Sequence, residues 1–287
     1  MLRDPLFRKA LRDLRVQVLG WGIGMGAMLA ITVALFPSIA DLYGDFFKDL
    51  PDAWKGFLGE GDFTKMEGFL DVEFFSYAQV AFAVFAILAG GAAIVGEETA
   101  GTMDLLLSQP VTRARLATAK LAALVVAVTL IVAISSLGLV LPDLVINEVS
   151  EAGRVLNAFV LLLPFELTIA FAAALLAQLF GSRLVGGTIL AGLLVASYML
   201  EALSGVSALL QDLKPLYLTT YFQGRAALTG DISWAYLGAS LIALALLSAA
   251  NVLYFMRRDV AVGNAVSLRL PWRRRAAQPS PPAGVSG

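Results

Sequence analysis

Six separate runs of about 20 predominantly apolar residues fix what this chain can become, because each is long enough to cross ~30 Å of hydrocarbon as a helix. They cover residues 16–36, 74–95, 116–141, 156–180, 184–203 and 234–256. Backbone polar groups in lipid must be satisfied internally, so only helices or closed barrels can span. Continuous apolar runs of this length are helices, not alternating strands. The expected fold is therefore all-α, a polytopic membrane protein with six transmembrane helices. Composition agrees: 59% of the 287 residues are hydrophobic and 15% charged, against about 45–50% and 25% in soluble domains. Residues 1–263 form the expected six-span transmembrane domain. Residues 264–287 are basic, then rich in Pro, Ser and Gly, and are expected to be disordered.

The residue inventory removes whole classes of chemistry. There is no cysteine and no histidine. Disulfides, thiolate metal sites, zinc-protease motifs and Ser-His-Asp triads are thereby excluded. No G-x-x-x-x-G-K-[ST] run occurs, so the chain holds no ATP through a P-loop of its own. A net charge of −1 gives no reason to expect nucleic acid as a partner. The first apolar run is long and no small-residue cleavage site clearly follows it, so a cleaved leader is not expected.

Before the first span, Asp4-Pro5 reads as an N-cap followed by N1. Phe7, Leu11 and Leu14 fall at helical spacing, with Arg8, Lys9, Arg12 and Arg15 largely off that stripe. This predicts an N-terminal amphipathic interfacial helix. Within the first span, Gly20-x-x-x-Gly24 and Gly22-x-x-x-Gly26 are small-residue pairs that let another helix approach closely. Residues 37–73 read as a long acidic loop with interleaved aromatics, and residues 204–233 as an outer segment with two short helical patterns.

Six spans put both termini on one side. Lys48, Lys55, Lys65, Arg154, Lys214 and Arg225 fall on the other, and the remaining 15 of the 21 Lys and Arg share the side of the termini. The positive-inside rule then predicts cytoplasmic termini. The segment between spans 2 and 3 lies on that side. Glu97 and Glu98 close the second span, Gly101 frees the backbone, and Thr102 can cap a helix of about two turns carrying Asp104 in its first turn. Pro110 ends that helix and Thr112 can cap the next, with Arg113 behind it. Leu105, Leu106 and Leu107 are apolar positions on a helix too short to span. They fit burial in a partner's groove, at ~1.5–3 kcal/mol per fully buried leucine, or packing on the chain's own span ends. An acid at a helix C-terminus is disfavoured by the dipole, so Glu97 and Glu98 are expected to pair with Arg113 or the N-terminal arginines, or else to be solvated boundary residues.

The run Gly96-Glu97-Glu98-x-x-Gly101-Thr102-x-x-Leu105-Leu106-Leu107-Ser108-x-Pro110-Val111-x-Arg113, with Lys120 after it, resembles the loop after the second span in type-2 ABC transporter permeases. Phe255-x-Arg257-Arg258-Asp259 and the outer Pro215…Tyr221-Phe222 are similar to other parts of that family. The resemblance implies the membrane subunit of an ABC transporter, not an enzyme by itself. It implies a separate ATPase subunit in two copies, holding ATP and Mg, and a second permease chain, alike or unlike. Gly101–Ser108 would be the coupling helix, with Glu97, Glu98, Gly101, Thr102, Asp104, Leu105, Leu106, Leu107, Pro110 and Arg113 at the ATPase contact. Export is the implied direction and a bacterial inner membrane the implied location. No cofactor is expected on this chain.

Glu166 is the only acid well inside a predicted span. Intramembrane charges are costly and usually face a cavity or a partner. It either lines a translocation path or pairs across the bundle, or it is a protonated structural acid beside Pro164. A channel or carrier without an ATPase, and a membrane scaffold that moves nothing, are the competing functional classes.

Overall fold

The computed structural model describes residues 4–48, 65–103, 111–146 and 152–258. Among them there is no strand, and six helices are long and apolar enough to cross a membrane. The spanning elements are α1 (Pro5–Lys48), the composite α2 (Met66–Leu70) and α3 (Ser76–Ala93), α5 (Arg113–Ile146), α6 (Ala152–Phe180), α7 (Arg183–Ala202) and α10 (Trp234–Arg257). Between α3 and α5 lies α4 (Val95–Thr99). Between α7 and α10 lie short 3-10 turns and two small helices, α8 (Ala208–Asp212) and α9 (Gly224–Thr229).

The local signals work as the residue types require. The backbone N–H of Leu6 donates to Asp4 Oδ1 at 3.0 Å, so Asp4 caps α1 with Pro5 at the first helical position. Arg115 N–H donates to Thr112 Oγ1 at 3.3 Å and caps α5. Ser182 caps α7 through the N–H of Val185.

Several boundaries differ from the sequence reading: α1 runs on through Pro37 to Lys48, into the stretch read as a loop. The basic first turns do not form a helix separate from the first span; both belong to the unbroken 44 residues of α1. The second span begins at Met66, not at Phe74. The acids around it suggested a loop, yet Met66, Phe69, Leu70 and Asp71 are all buried. One wide π-helical turn, Asp71–Phe75, joins α2 to α3, and Asp71 on it receives two hydrogen bonds from the guanidinium of Arg225, at 2.7 and 2.8 Å. The acid enters the bundle because a cation on α9 meets it.

α1 and α5 run parallel. Asp4 meets Arg115 and Gly22 meets Ser135, offsets of 111 and 113 residues, so the register holds along the pair. Glycine sets their separation. A Cβ on Gly138 would lie 2.0 Å from the Gly26 carbonyl oxygen, and one on Gly22 would lie 2.9 Å from Ile134 Cβ. Of the two small-residue pairs in the first span, Gly22 and Gly26 therefore make the close approach. Gly20 and Gly24 meet nothing within 4 Å. The composite second span and α6 form the centre, with 56% of their most apolar stretches buried, against 22% for α7 and 17% for α10. Phe74, Phe75 and Phe159 interlock there, with Phe75 and Phe159 edge-on at 5.2 Å. α10 is tied to α6 by a buried polar relay. Gln178 Nε2 donates to Asn251 Oδ1 at 2.7 Å, and Asn251 Nδ2 donates to the Phe171 carbonyl at 2.9 Å. Such polar contacts hold helices where hydrophobicity gives no drive between them.

Candidate functional site

The second span bends at Ile94 (φ −109°, ψ −54°) into α4, which puts Glu97 and Glu98 just beyond the apolar core. α4 ends on Gly101 at φ 68°. Gly101 N–H donates to the Glu98 carbonyl at 3.2 Å and Thr102 N–H to the Glu97 carbonyl at 3.0 Å. This is the Schellman pairing, and a side chain at Gly101 would strain its left-handed conformation. The Thr102 hydroxyl turns back and donates to the Glu97 carboxylate. Beneath the segment, Ile94, Met103, Leu116, Ala117 and Phe255 form a small apolar cluster of their own. Asp104, Leu105, Leu106, Leu107 and Pro110 lie outside the described residues.

Charged side chains from three spanning helices converge on this turn. Lys9 Nζ of α1 lies 2.8 Å from Glu97 Oε1, and Lys120 Nζ of α5 lies 3.0 Å from the same oxygen. Arg258, just after α10, lies 3.1 Å from Glu98 Oε2. Arg113 Nη1 donates to the backbone carbonyl of Arg258 at 2.6 Å. Asp4 and Arg115 close the first turns of α1 and α5 at 2.9 Å. Asp4 is held below the usual carboxylate range, first by the hydrogen bond from Arg115 and then by that from the Leu6 N–H. Burial pushes the Glu97 carboxyl up, but hydrogen bonds from Lys9 and Thr102 and the charge on Lys120 outweigh it and bring it down to about 2. Glu97 is therefore an anion throughout the physiological range.

The acids do pair with cations, but not with those the sequence suggested. Lys9 and Lys120 take Glu97, and Arg258 takes Glu98. Arg113 reaches the same cluster through a backbone carbonyl. Lys9 offers no distinctive sequence signal, being one of several basic residues at helical spacing. Lys120 and Arg258 stand two turns into a span and at the end of the last one, and only the fold brings them to Glu97 and Glu98.

Glu166 lies elsewhere, in the middle of α6 two residues after Pro164, and is 1% exposed. Among the described residues neither carboxyl oxygen has a hydrogen-bond partner. A lateral cleft of about 720 Å³ opens among α1, α3 and α7, lined by Gln17, Arg183 and Thr188 and mostly by apolar side chains. Glu166 does not line it.

Among the described residues no group of His, Cys, Asp or Glu side chains gathers as metal ligands would. Short charge-assisted bonds tie Glu97 and Glu98 to α1, α5 and the end of α10 together. The family model described as ABC-2 family transporter protein matches residues 5–260. No curated protein matches the chain.

Proposed function

The chain belongs to the ABC-2 transporter family, as a membrane permease of an ABC transporter, and from that premise we propose that it couples ATP hydrolysis on a separate ATPase subunit to substrate export. Two copies of the ATPase, carrying ATP and Mg, would act on two permease chains in a bacterial inner membrane, with all termini cytoplasmic. Residues 97–113 would be the contact: Asp104, Leu105, Leu106, Leu107 and Pro110 seated on the ATPase, Glu97, Glu98, Gly101, Thr102 and Arg113 behind them. Closure of the ATPase pair would drive these turns, and the spans they hold, from one access state to the other.

The observation that carries this reading is the Glu97 turn. One short segment between two spans is bonded at once to the starts of α1 and α5 and to the end of α10. A loop that merely connected spans 2 and 3 would have no need of bonds to the other two. The lateral cleft among α1, α3 and α7 supports a route that admits substrate from the bilayer side. The positive-inside count, 15 of 21 cations on the side of the termini, supports the orientation.

Charge reversal at Glu97 or Glu98 tests it. In proteoliposomes holding the permease and its ATPase, Glu97→Lys and Glu98→Lys are expected to keep the ATPase bound while lowering permease-dependent ATP hydrolysis by an order of magnitude or more, the loss of about 1.4 kcal/mol of coupling. Hydrolysis unchanged in both variants would overturn the assignment.

A further inference from the structure

The lateral cleft has three walls, and residues 97–102 hold two of them directly. α3 runs into α4 through Ile94, and α1 is bonded to Glu97 by Lys9. The third wall is α7, whose Arg183, Leu184, Gly187, Thr188 and Ala191 line the cleft. Among the described residues the ion pairs of Glu97 and Glu98 go to α1, α5 and Arg258, and none goes to α7. α7 is also the most lightly held wall, with 22% of its most apolar stretch buried, against 33% for α1 and 56% for the composite second span. What α7 has is a short, stiff joint to α6. Gly181 turns at φ 61°, and Ser182 N–H donates to the Ala177 carbonyl at 3.1 Å. A Cβ on Gly186 would lie 2.6 Å from the Ala177 nitrogen, so the first turns of α7 press on α6. Whatever positions the turn at Gly181 therefore positions the start of α7.

Arg258 reaches that turn. A Cβ on Gly181 would lie 3.5 Å from Arg258 Nη2, so the guanidinium lies over the carbonyl end of α6, where the helix dipole favours a cation. The same guanidinium faces both oxygens of Glu98, Nη2 to Oε2 at 3.1 Å and Nη1 to Oε1 at 3.4 Å. The two side chains are only 17% and 10% exposed. A side-on pair shielded from water fixes direction as well as distance. We propose that Arg258 is the positioning residue through which residues 97–102 steer α7, and with it the width of the lateral cleft. This rests on the coupling role proposed above. The other bond at this point, from Arg113 to the Arg258 carbonyl, is accepted by the backbone and comes from α5, so it does not depend on the Arg258 side chain.

Adjacency alone does not show coupling, but a difference between two walls does. The chain has no cysteine, so spin labels can be placed on chosen walls. Val84→Cys with Thr188→Cys reads α3 against α7, and Val84→Cys with Gln17→Cys reads α3 against α1. Labelled permease, diluted with unlabelled chain and joined to the ATPase that copurifies with it, is measured in nanodiscs without nucleotide and with ATP and vanadate. With Arg258 intact, both distances should shift between the two conditions. Arg258→Ala should keep the α1 shift and lose more than half of the α7 shift. Arg258→Lys, which keeps a cation between Glu98 and the end of α6, should recover most of it. A residue that merely held the fold would change both pairs alike. A full α7 shift in Arg258→Ala overturns the inference and leaves the coupling role standing. Equal loss of both shifts overturns it as well, because Arg258 would then serve the whole bundle. No shift in either pair with Arg258 intact would overturn the coupling role itself, and this inference with it.

Discussion

Glu97 carries a prediction of its own, because a carboxyl near 2 in the folded chain, against an ordinary 4.5, links stability to pH. The folded state holds fewer protons than the unfolded one in that interval, so Glu97 contributes stability above pH 4.5 that is lost as pH falls through 4.5 toward 2. Glu97→Gln should lower stability at pH 7 by about 1–3 kcal/mol, the cost of leaving Lys120 without its partner. The gap to wild type should close on acidification, followed by thermal unfolding in nanodiscs at pH 7, 4 and 3. A gap independent of pH contradicts the account of the turn. Asp71 is a harsher case, because it is buried at 6% side-chain exposure with Arg225 as its partner. Arg225→Ala should destabilise by roughly 3 kcal/mol, and Asp71→Asn in the same chain should recover part of that. An additive double variant would show that the two side chains are not coupled.

Among the elements, the parallel pair α1–α5 is the one whose spacing is fixed most tightly. Gly138→Ala pushes a Cβ into the Gly26 carbonyl and should cost roughly 1–3 kcal/mol as the backbones part. Gly24→Ala meets open space and should be neutral, or should gain up to about 1 kcal/mol of helix propensity. Melting temperatures of the two variants in one membrane mimetic decide this, and equal losses would mean that glycine does not set the separation. The contrast also shows what was legible in the chain. The six apolar runs, the caps at Asp4 and Thr112 and the freed backbone at Gly101 could be read because each rests on local chemistry. Which of two interleaved glycine pairs faces a helix could not, since four glycines at alternate positions carry no direction. The start of the second span was missed for a related reason. Glu67 and Asp71 look like loop residues until Arg225, 154 residues away from Asp71, is folded beside them. Likewise, the acids of the Glu97 turn asked for cations, but Lys9, Lys120 and Arg258 lie 88, 23 and 160 residues from their partners.

At the scale of the whole molecule, the two ends of the bundle are built differently. The end with the termini is a plate of ion pairs, in which residues 97–102 are bonded to helices that are otherwise far apart in the chain. The opposite end is a set of short helices and turns around a polar cavity. α7 and α10, mostly unburied within the chain, leave apolar surface for lipid or a second permease. In the proposed function, the ion-paired end receives the push of an ATPase subunit and passes it to the spans. The most direct test is affinity purification of the chain from its native membrane in mild detergent, followed by mass spectrometry. A P-loop ATPase is expected in stoichiometric amount, lost when Leu105, Leu106 and Leu107 are changed to Ser while the permease itself stays folded. A chain that elutes without an ATPase, or that keeps it after those substitutions, would contradict the claim that this segment is where ATP hydrolysis reaches the membrane.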